Sequence, residues 1–322
     1  VKIGITCIQL IRDIEHWRPA MEVAGFEVVV PEIPGQHLED DALVAALDGC
    51  VGVVAGDDKF TADVIDRLEL KAISKWGIGV DGIDRAHAAA KGIPVTNTPG
   101  AFDEEVADVA YGYIVMLLRQ LHVIHEGVRD GGWPKPPGHS LGGLRLGVIG
   151  LGGIGRAVVR RGVVAQMDVV GSDPMPESRA AAETDGCTIM EIDELMATSH
   201  VVSVNAPLND STRHLVNAER LQSMPAGGYL VNTGRGEVVD TAALAAVLRS
   251  GHLAGAAVDV LEEEPPSLDN PIRGIDSVIF GSHNASNTLE ASARVHKRSI
   301  ANLARELGLS LIHISEPTRQ KP

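Results

Sequence analysis

The chain has 322 residues, of which 44% are hydrophobic and 22% charged, and its formal net charge is -15 at pH 7. Two domains are expected at this length, and the acidity lacks the basic footprint that a nucleic-acid binder needs. No apolar run reaches the roughly 18 residues that span a bilayer, and no secretory signal opens the chain, so a soluble, cytoplasmic protein without membrane partners is expected.

Aromatic residues make up only 3%. Plentiful Val, Ala and Gly suit a parallel sheet of branched residues under Ala-rich helices. Short apolar runs at residues 1–5, 26–30, 51–55 and 70–74 predict four strands, the second stopped by Pro31. Helical patterns lie between them at 40–47 and 61–68, with Thr61 as an N-cap. Such alternation implies parallel strands joined by right-handed crossovers. Asn97, Thr98, Pro99 and Gly100 form a turn cluster, and a long helix is predicted over 104–119. A loop rich in Gly and Pro, 131–143, precedes a second alternating series. Its strands are predicted at 145–150, 167–171, 201–204, 229–232, 256–260 and 278–280, enough for a complete doubly wound sheet. A last helix is predicted over 289–307.

The two long helices stand beside the switches between the series. The N-terminal domain is therefore expected to be completed by C-terminal residues. Cys7, Cys50 and Cys187 are scattered, with no Cys-x-x-Cys pair and no Cys/His metal spacing. Buried thiols in a reducing compartment, and no metal, are expected.

Gly150-Leu151-Gly152-Gly153-Ile154-Gly155 follows a predicted strand and opens a predicted helix. Gly150 permits the tight turn, Gly152 lets a pyrophosphate approach the backbone, and Gly155 lets helix and strand pack closely. Gly153 and Ile154 place backbone N–H groups at the helix start, where phosphates bind. Asp173 ends the next predicted strand, roughly 20 residues further on, where a carboxylate accepts from a ribose diol and repels a 2′-phosphate. The cofactor expected is NAD rather than NADP.

Three residues stand just beyond late strands: Arg235, Glu264 and His283. Ligands of open parallel sheets bind beyond the carboxyl ends of strands. Arg offers a planar, permanently charged fork for a carboxylate. His donates a proton to a carbonyl oxygen and takes it back in the oxidative direction. A carboxylate beside it orients the ring and favours the imidazolium, the role expected of Glu264. Hydride transfer itself is cofactor chemistry and requires no metal.

With these motifs in place, the chain resembles the D-isomer-specific 2-hydroxyacid dehydrogenases, the family that includes D-3-phosphoglycerate dehydrogenases. The resemblance runs from about Val51 to Leu307 and is carried by the glycine motif with Asp173, by Val231–Gly236, by Asp259 through Pro265, and by Ser282-His283. It implies two doubly wound parallel-sheet domains. A Rossmann NAD-binding domain, 99–286, is inserted in a flavodoxin-like substrate domain made of 1–98 and 287–308. It further implies that Arg235 binds substrate, that Glu264 pairs with His283, and that His283 is the acid/base. Backbone amides of Ile78 and Gly79 would hold the substrate carboxylate. Asp259 would reach the nicotinamide amide, while Asn205, Ala206, Pro207, Thr233 and Gly234 would line the cofactor. A homodimer built through the cofactor domain, with the 104–119 helix near its interface, is also implied.

The chain departs from the family at four places. Asn284, Ala285, Ser286 and Asn287 replace an Ile-Gly-Gly type run after the histidine. Ala55 stands where phosphoglycerate enzymes often carry an Arg, with Asp57 and Asp58 close by. Two carboxylates there oppose a dianionic phosphate, and Lys75 is expected to compensate in part. No regulatory domain is expected after the last helix. Residues 309–322 do not fit the family and are expected to be a non-native tail. A phosphoglycerate dehydrogenase-like enzyme is expected, with a glyoxylate or hydroxypyruvate reductase as the alternative. A third reading is an NAD(H)-sensing corepressor-type binding protein.

Overall fold

The computed structural model describes residues 1–309, so the expected non-native tail lies, from residue 310 on, outside the described residues. The chain divides into two units, one of Val1–Ala101 with the residues from Thr288 on, the other of Phe102–Asn287.

The first unit is built on β1 (Lys2–Ile5), β2 (Glu27–Val29), β3 (Gly52–Ala55), β4 (Ala72–Lys75) and β5 (Val95–Thr96), in the order β2-β1-β3-β4-β5. Every pairing is parallel, and the order is that of flavodoxin-like sheets. β5 went unpredicted because its two residues make no apolar run. Thr61 caps the Ala62–Arg67 helix by accepting from the Val64 amide. The Leu289–Glu306 helix returns to this unit and buries Val295, Ile300 and Leu303.

The second unit carries β6 (Arg145–Ile149), β7 (Asp168–Ser172), β8 (Thr188–Ile189), β9 (Val201–Val204), β10 (Gly228–Asn232), β11 (Leu253–Val258) and β12 (Val278–Phe280). Their order is β12-β11-β10-β9-β6-β7-β8, all parallel. Read from β8, this is the Rossmann order with one further strand, and its topological switch lies between β6 and β9. The sheet has one strand more than expected, because two-residue β8 escapes pattern reading. Helices cover both faces. Leu146, Val148, Val169 and Val231 pack on one side with Ile114, Leu117 and Val158. Ile149, Val170, Val202 and Leu230 pack on the other with Leu221, Leu244 and Leu248. Each such side chain contributes roughly 1.5–3 kcal/mol when fully buried.

The Asp103–Arg119 helix begins with Asp103, Glu104 and Glu105, whose charges suit a helix N-terminus. Arg161 ties Glu104 and Asp108 to the helix Gly153–Val164. A further amphipathic helix, Leu121–Arg129, was not anticipated. Its Leu121, Val123 and Val128 are exposed, as is Trp133 just beyond it. No helix of the described residues is long and apolar enough to cross a membrane.

Candidate active site

The glycine turn leaves β6 at the switch point. Gly150 takes φ +85°, and a Cβ there would lie 2.8 Å from the Ala206 amide nitrogen. Only glycine meets both demands. A Cβ at Gly155 would lie 1.8 Å from the Gly150 carbonyl, so the helix packs directly on the turn. At Gly152 nothing lies within 4 Å of the equivalent position. The backbone there is open to a ligand, at the N-terminus of a helix whose first residue is Gly153. Asp173 follows β7 and accepts from the Leu151 amide at 2.7 Å and the Met175 amide at 2.8 Å. The carboxylate is thereby fixed against the glycine turn. An open glycine backbone at a helix start and an anchored carboxylate fit the pyrophosphate and ribose of NAD.

The next loops close around this turn. Asn205 donates to the Ser203 hydroxyl at 3.1 Å and accepts from Thr233 Oγ1 at 3.1 Å. Gly234 approaches the Ala206 carbonyl so closely that a Cβ would sit 2.7 Å away. Buried Asn232 accepts from the Gly234 amide at 3.1 Å and donates to the Arg235 carbonyl at 3.0 Å. It thus shapes the turn that presents Arg235. Gly236 abuts the backbone of Leu261, where a Cβ would fall 1.9 Å from the carbonyl carbon. The Arg235 loop and the acidic loop are locked together at that point.

His283 lies beyond β12 with φ +54°, an uncommon left-handed conformation for a side-chain-bearing residue. Its Nδ1 meets Glu264 Oε2 at 2.7 Å, and Glu264 Oε1 accepts from the Leu261 amide at 2.9 Å. The acidic run is therefore divided by role. Glu262 accepts from the Thr241 amide and meets His214, Glu263 accepts from the Ser267 amide, and Glu264 holds the histidine. Asp259, only 3% exposed, accepts from the amides of Asn284 at 3.3 Å and Ala285 at 3.0 Å. Among the described residues no cluster of His, Cys, Asp and Glu could hold a metal ion.

In the first unit, Ile78 and Gly79 follow β4 in a loop set by Gly77 at φ +112°. Asn97 donates to the Ile78 carbonyl at 2.7 Å, and Thr98 brackets Gly77. Trp76 donates to His296 Nδ1 at 2.8 Å, and His296 Nε2 meets Asp13 at 3.2 Å. His296 is fully buried between Trp17 and Trp76. Lys75, expected to offer a charge for a phosphate, instead pairs with Asp57 at 3.0 Å and donates to the Trp76 carbonyl. Tyr113 escaped sequence reading, and Asn232 and Gly236 were read only as members of the Val231–Gly236 motif, without roles of their own. The first lies in an apolar helix and the others beside more conspicuous motif residues.

A Rossmann sheet with this glycine turn, a carboxylate anchored at the end of the next strand and a paired histidine defines a nicotinamide-dependent dehydrogenase. Residues 111–285 match the family model "D-isomer specific 2-hydroxyacid dehydrogenase, NAD binding domain". The chain is 35% identical over 311 residues to a glyoxylate reductase of Thermofilum pendens, across 92% of this chain and 84% of that protein. It is 36% identical over 261 residues to a D-3-phosphoglycerate dehydrogenase of Archaeoglobus fulgidus, across 79% of this chain but 49% of that one. The solved D-lactate dehydrogenase of Aquifex aeolicus, complexed with NAD and lactic acid, superposes with a TM-score of 0.84 at 27% identity over 100% of both chains. The chain belongs to the D-isomer-specific 2-hydroxyacid dehydrogenase family. It is an NAD-dependent oxidoreductase acting on the CH–OH group of a 2-hydroxy acid.

Proposed function

We propose that the substrate is a short 2-keto acid without a distal phosphate, of the glyoxylate or hydroxypyruvate kind, reduced to its 2-hydroxy acid. The observation that carries this reading is the Lys75–Asp57 pair at 3.0 Å. A cation already matched by a carboxylate offers little net attraction to a dianion, and Ala55 supplies none.

In the reductive direction Arg235 grips the substrate carboxylate through its planar fork. The family resemblance assigns the Ile78 and Gly79 amides to the substrate carboxylate as well. His283 gives its Nε2 proton to the carbonyl oxygen, and Glu264, on Nδ1, orients the ring and stabilises its charged form. NADH, when bound, supplies the hydride to C2. Gly150, Gly152, Gly153, Ile154 and Gly155 take its pyrophosphate, and Asp173 takes its adenosine ribose diol. Asn205, Ala206, Pro207, Thr233 and Gly234 line its path, while Asp259 accepts from the nicotinamide amide.

The test is NADH consumption with glyoxylate, hydroxypyruvate, pyruvate and 3-phosphohydroxypyruvate, using His283→Ala as control. The highest kcat/KM is expected with one of the first two. A clear preference for 3-phosphohydroxypyruvate would overturn the substrate assignment and restore the phosphoglycerate reading, which the similarity to a D-3-phosphoglycerate dehydrogenase favours. A cytoplasmic homodimer completes the proposal. Leu121, Val123, Val128 and Trp133 of the second unit are exposed apolar side chains of the kind an identical partner would cover. Light scattering reads the mass directly, and a monomer at micromolar concentration would exclude it.

A further inference from the structure

Asp259 is engaged by more than its own loop. The Tyr113 hydroxyl, on the Asp103–Arg119 helix, stands beside the Asp259 carboxylate, both of them packed against Gly281. The same carboxylate accepts from the amides of Asn284 and Ala285, the two residues after His283. The His283 amide in turn donates to the Asp259 carbonyl at 2.6 Å. One aspartate thus grips the acid/base segment through both its backbone and its side chain. Gly281 leaves the space in which this happens. A Cβ there would lie 2.1 Å from Asp259 Oδ1 and 2.5 Å from the Tyr113 hydroxyl.

A carboxylate offers about four acceptor directions. The Asn284 and Ala285 amides occupy two, and the Tyr113 hydroxyl stands beside the carboxylate to take a third, which leaves capacity for one more donor. On the reading in which Asp259 accepts from the nicotinamide amide and His283 is the acid/base, that last capacity belongs to the cofactor. The same two oxygens then serve nicotinamide and the histidine loop together. Burial, and then the Asp259 charge, push the Tyr113 phenol up to about 12, so it remains a donor at every working pH. His283 also needs such support, because its left-handed backbone is costly unless its surroundings hold it.

We propose that Tyr113 is a positioning residue for the reaction: its hydroxyl orients the Asp259 carboxylate, and through it couples nicotinamide binding to the placement of His283. The proposal rests on the functional reading above. It differs in locating part of the catalytic geometry on a helix far away in sequence.

The test is Tyr113→Phe, which deletes the hydroxyl and keeps the ring. The kcat should fall about tenfold, a part of the 10²–10⁴ that positioned acid–base groups contribute, with KM for the keto acid changed less than about twofold. In the protein without cofactor, amide exchange should accelerate at residues 281–287 and not elsewhere in the second unit. In an Asp259→Asn background the further loss should be less than about twofold, since groups that act through one another are not additive. A Tyr113→Phe enzyme with unchanged kcat and unchanged exchange would overturn the proposal. Fully additive losses, or acceleration spread over the whole unit, would overturn it as well. His283→Ala, run alongside, separates the two levels. Turnover surviving in that variant sinks the acid/base assignment itself, whereas its loss beside a wild-type Tyr113→Phe sinks only the coupling.

Discussion

At the residue scale, the site depends on contacts that leave almost no tolerance. On the proposed mechanism His283 is the acid, held by Glu264 at its Nδ1, 2.7 Å away. His283→Ala should therefore lower kcat by about 10²–10⁴ with NADH affinity retained, as read by fluorescence titration alongside steady-state rates. Loss of NADH binding in that variant would mean that the histidine is part of the cofactor cradle. Lys75 makes an opposite prediction. Asp57→Asn removes its partner and releases a cation, so kcat/KM for 3-phosphohydroxypyruvate should rise by about tenfold relative to glyoxylate, a change worth about 1.4 kcal/mol. An unchanged ratio would show that Lys75 does not face the distal end of the substrate. Arg235, Glu264 and His283 were legible from the string because each follows an apolar run at a strand end. Lys75 was legible as a charge, yet its pairing with Asp57 joins two strand ends and had no sequence signal.

At the element scale, the Leu289–Glu306 helix supports the loop that carries Ile78 and Gly79. Ser74 donates to the Ser299 carbonyl, Asn302 donates to the Asn97 carbonyl, and Arg294 donates to the Ala101 carbonyl. At the centre His296 accepts from Trp76 on Nδ1, so Nε2 carries the hydrogen that faces Asp13. Burial, against the opposing pull of Asp13, holds the His296 pKa below its ordinary value. The unfolded chain then binds a proton that the folded unit resists. Stability should be full above the unfolded histidine value of about 6.5 and should fall as the pH drops through it towards the lower folded value. Thermal unfolding followed by tryptophan fluorescence, compared with His296→Gln, measures this. A variant whose midpoint keeps the wild-type pH dependence would exonerate His296. The helix itself was plain in the sequence from its amphipathic pattern. Its buried histidine was not, because a polar residue on a helix face reads as solvated until the neighbouring tryptophans are known.

At the scale of the whole molecule, one unit is continuous in sequence and the other is completed only after it. Phe102–Asn287 contains its entire seven-stranded sheet and both of its helical layers. Expressed alone it should fold and bind NADH, as circular dichroism and fluorescence titration would show. Residues 1–101 alone should fail to fold, because the helix that buries Val295, Ile300 and Leu303 is missing. A cooperative unfolding transition from the 1–101 fragment would refute this. The sequence by itself determined the strand alternation, the glycine turn with Asp173, and the identities of the chemical groups. Those signals are local: period, turn residues and residue type at a strand end. Only the tertiary structure decided the rest. Strands β5 and β8 exist because neighbours pair with two residues too few to make a pattern. Glu264, rather than Glu262, reaches His283 because Gly236 lets two backbones meet. Tyr113 reaches Asp259 because a helix and a strand end distant in sequence pack side by side, and no local pattern records that meeting.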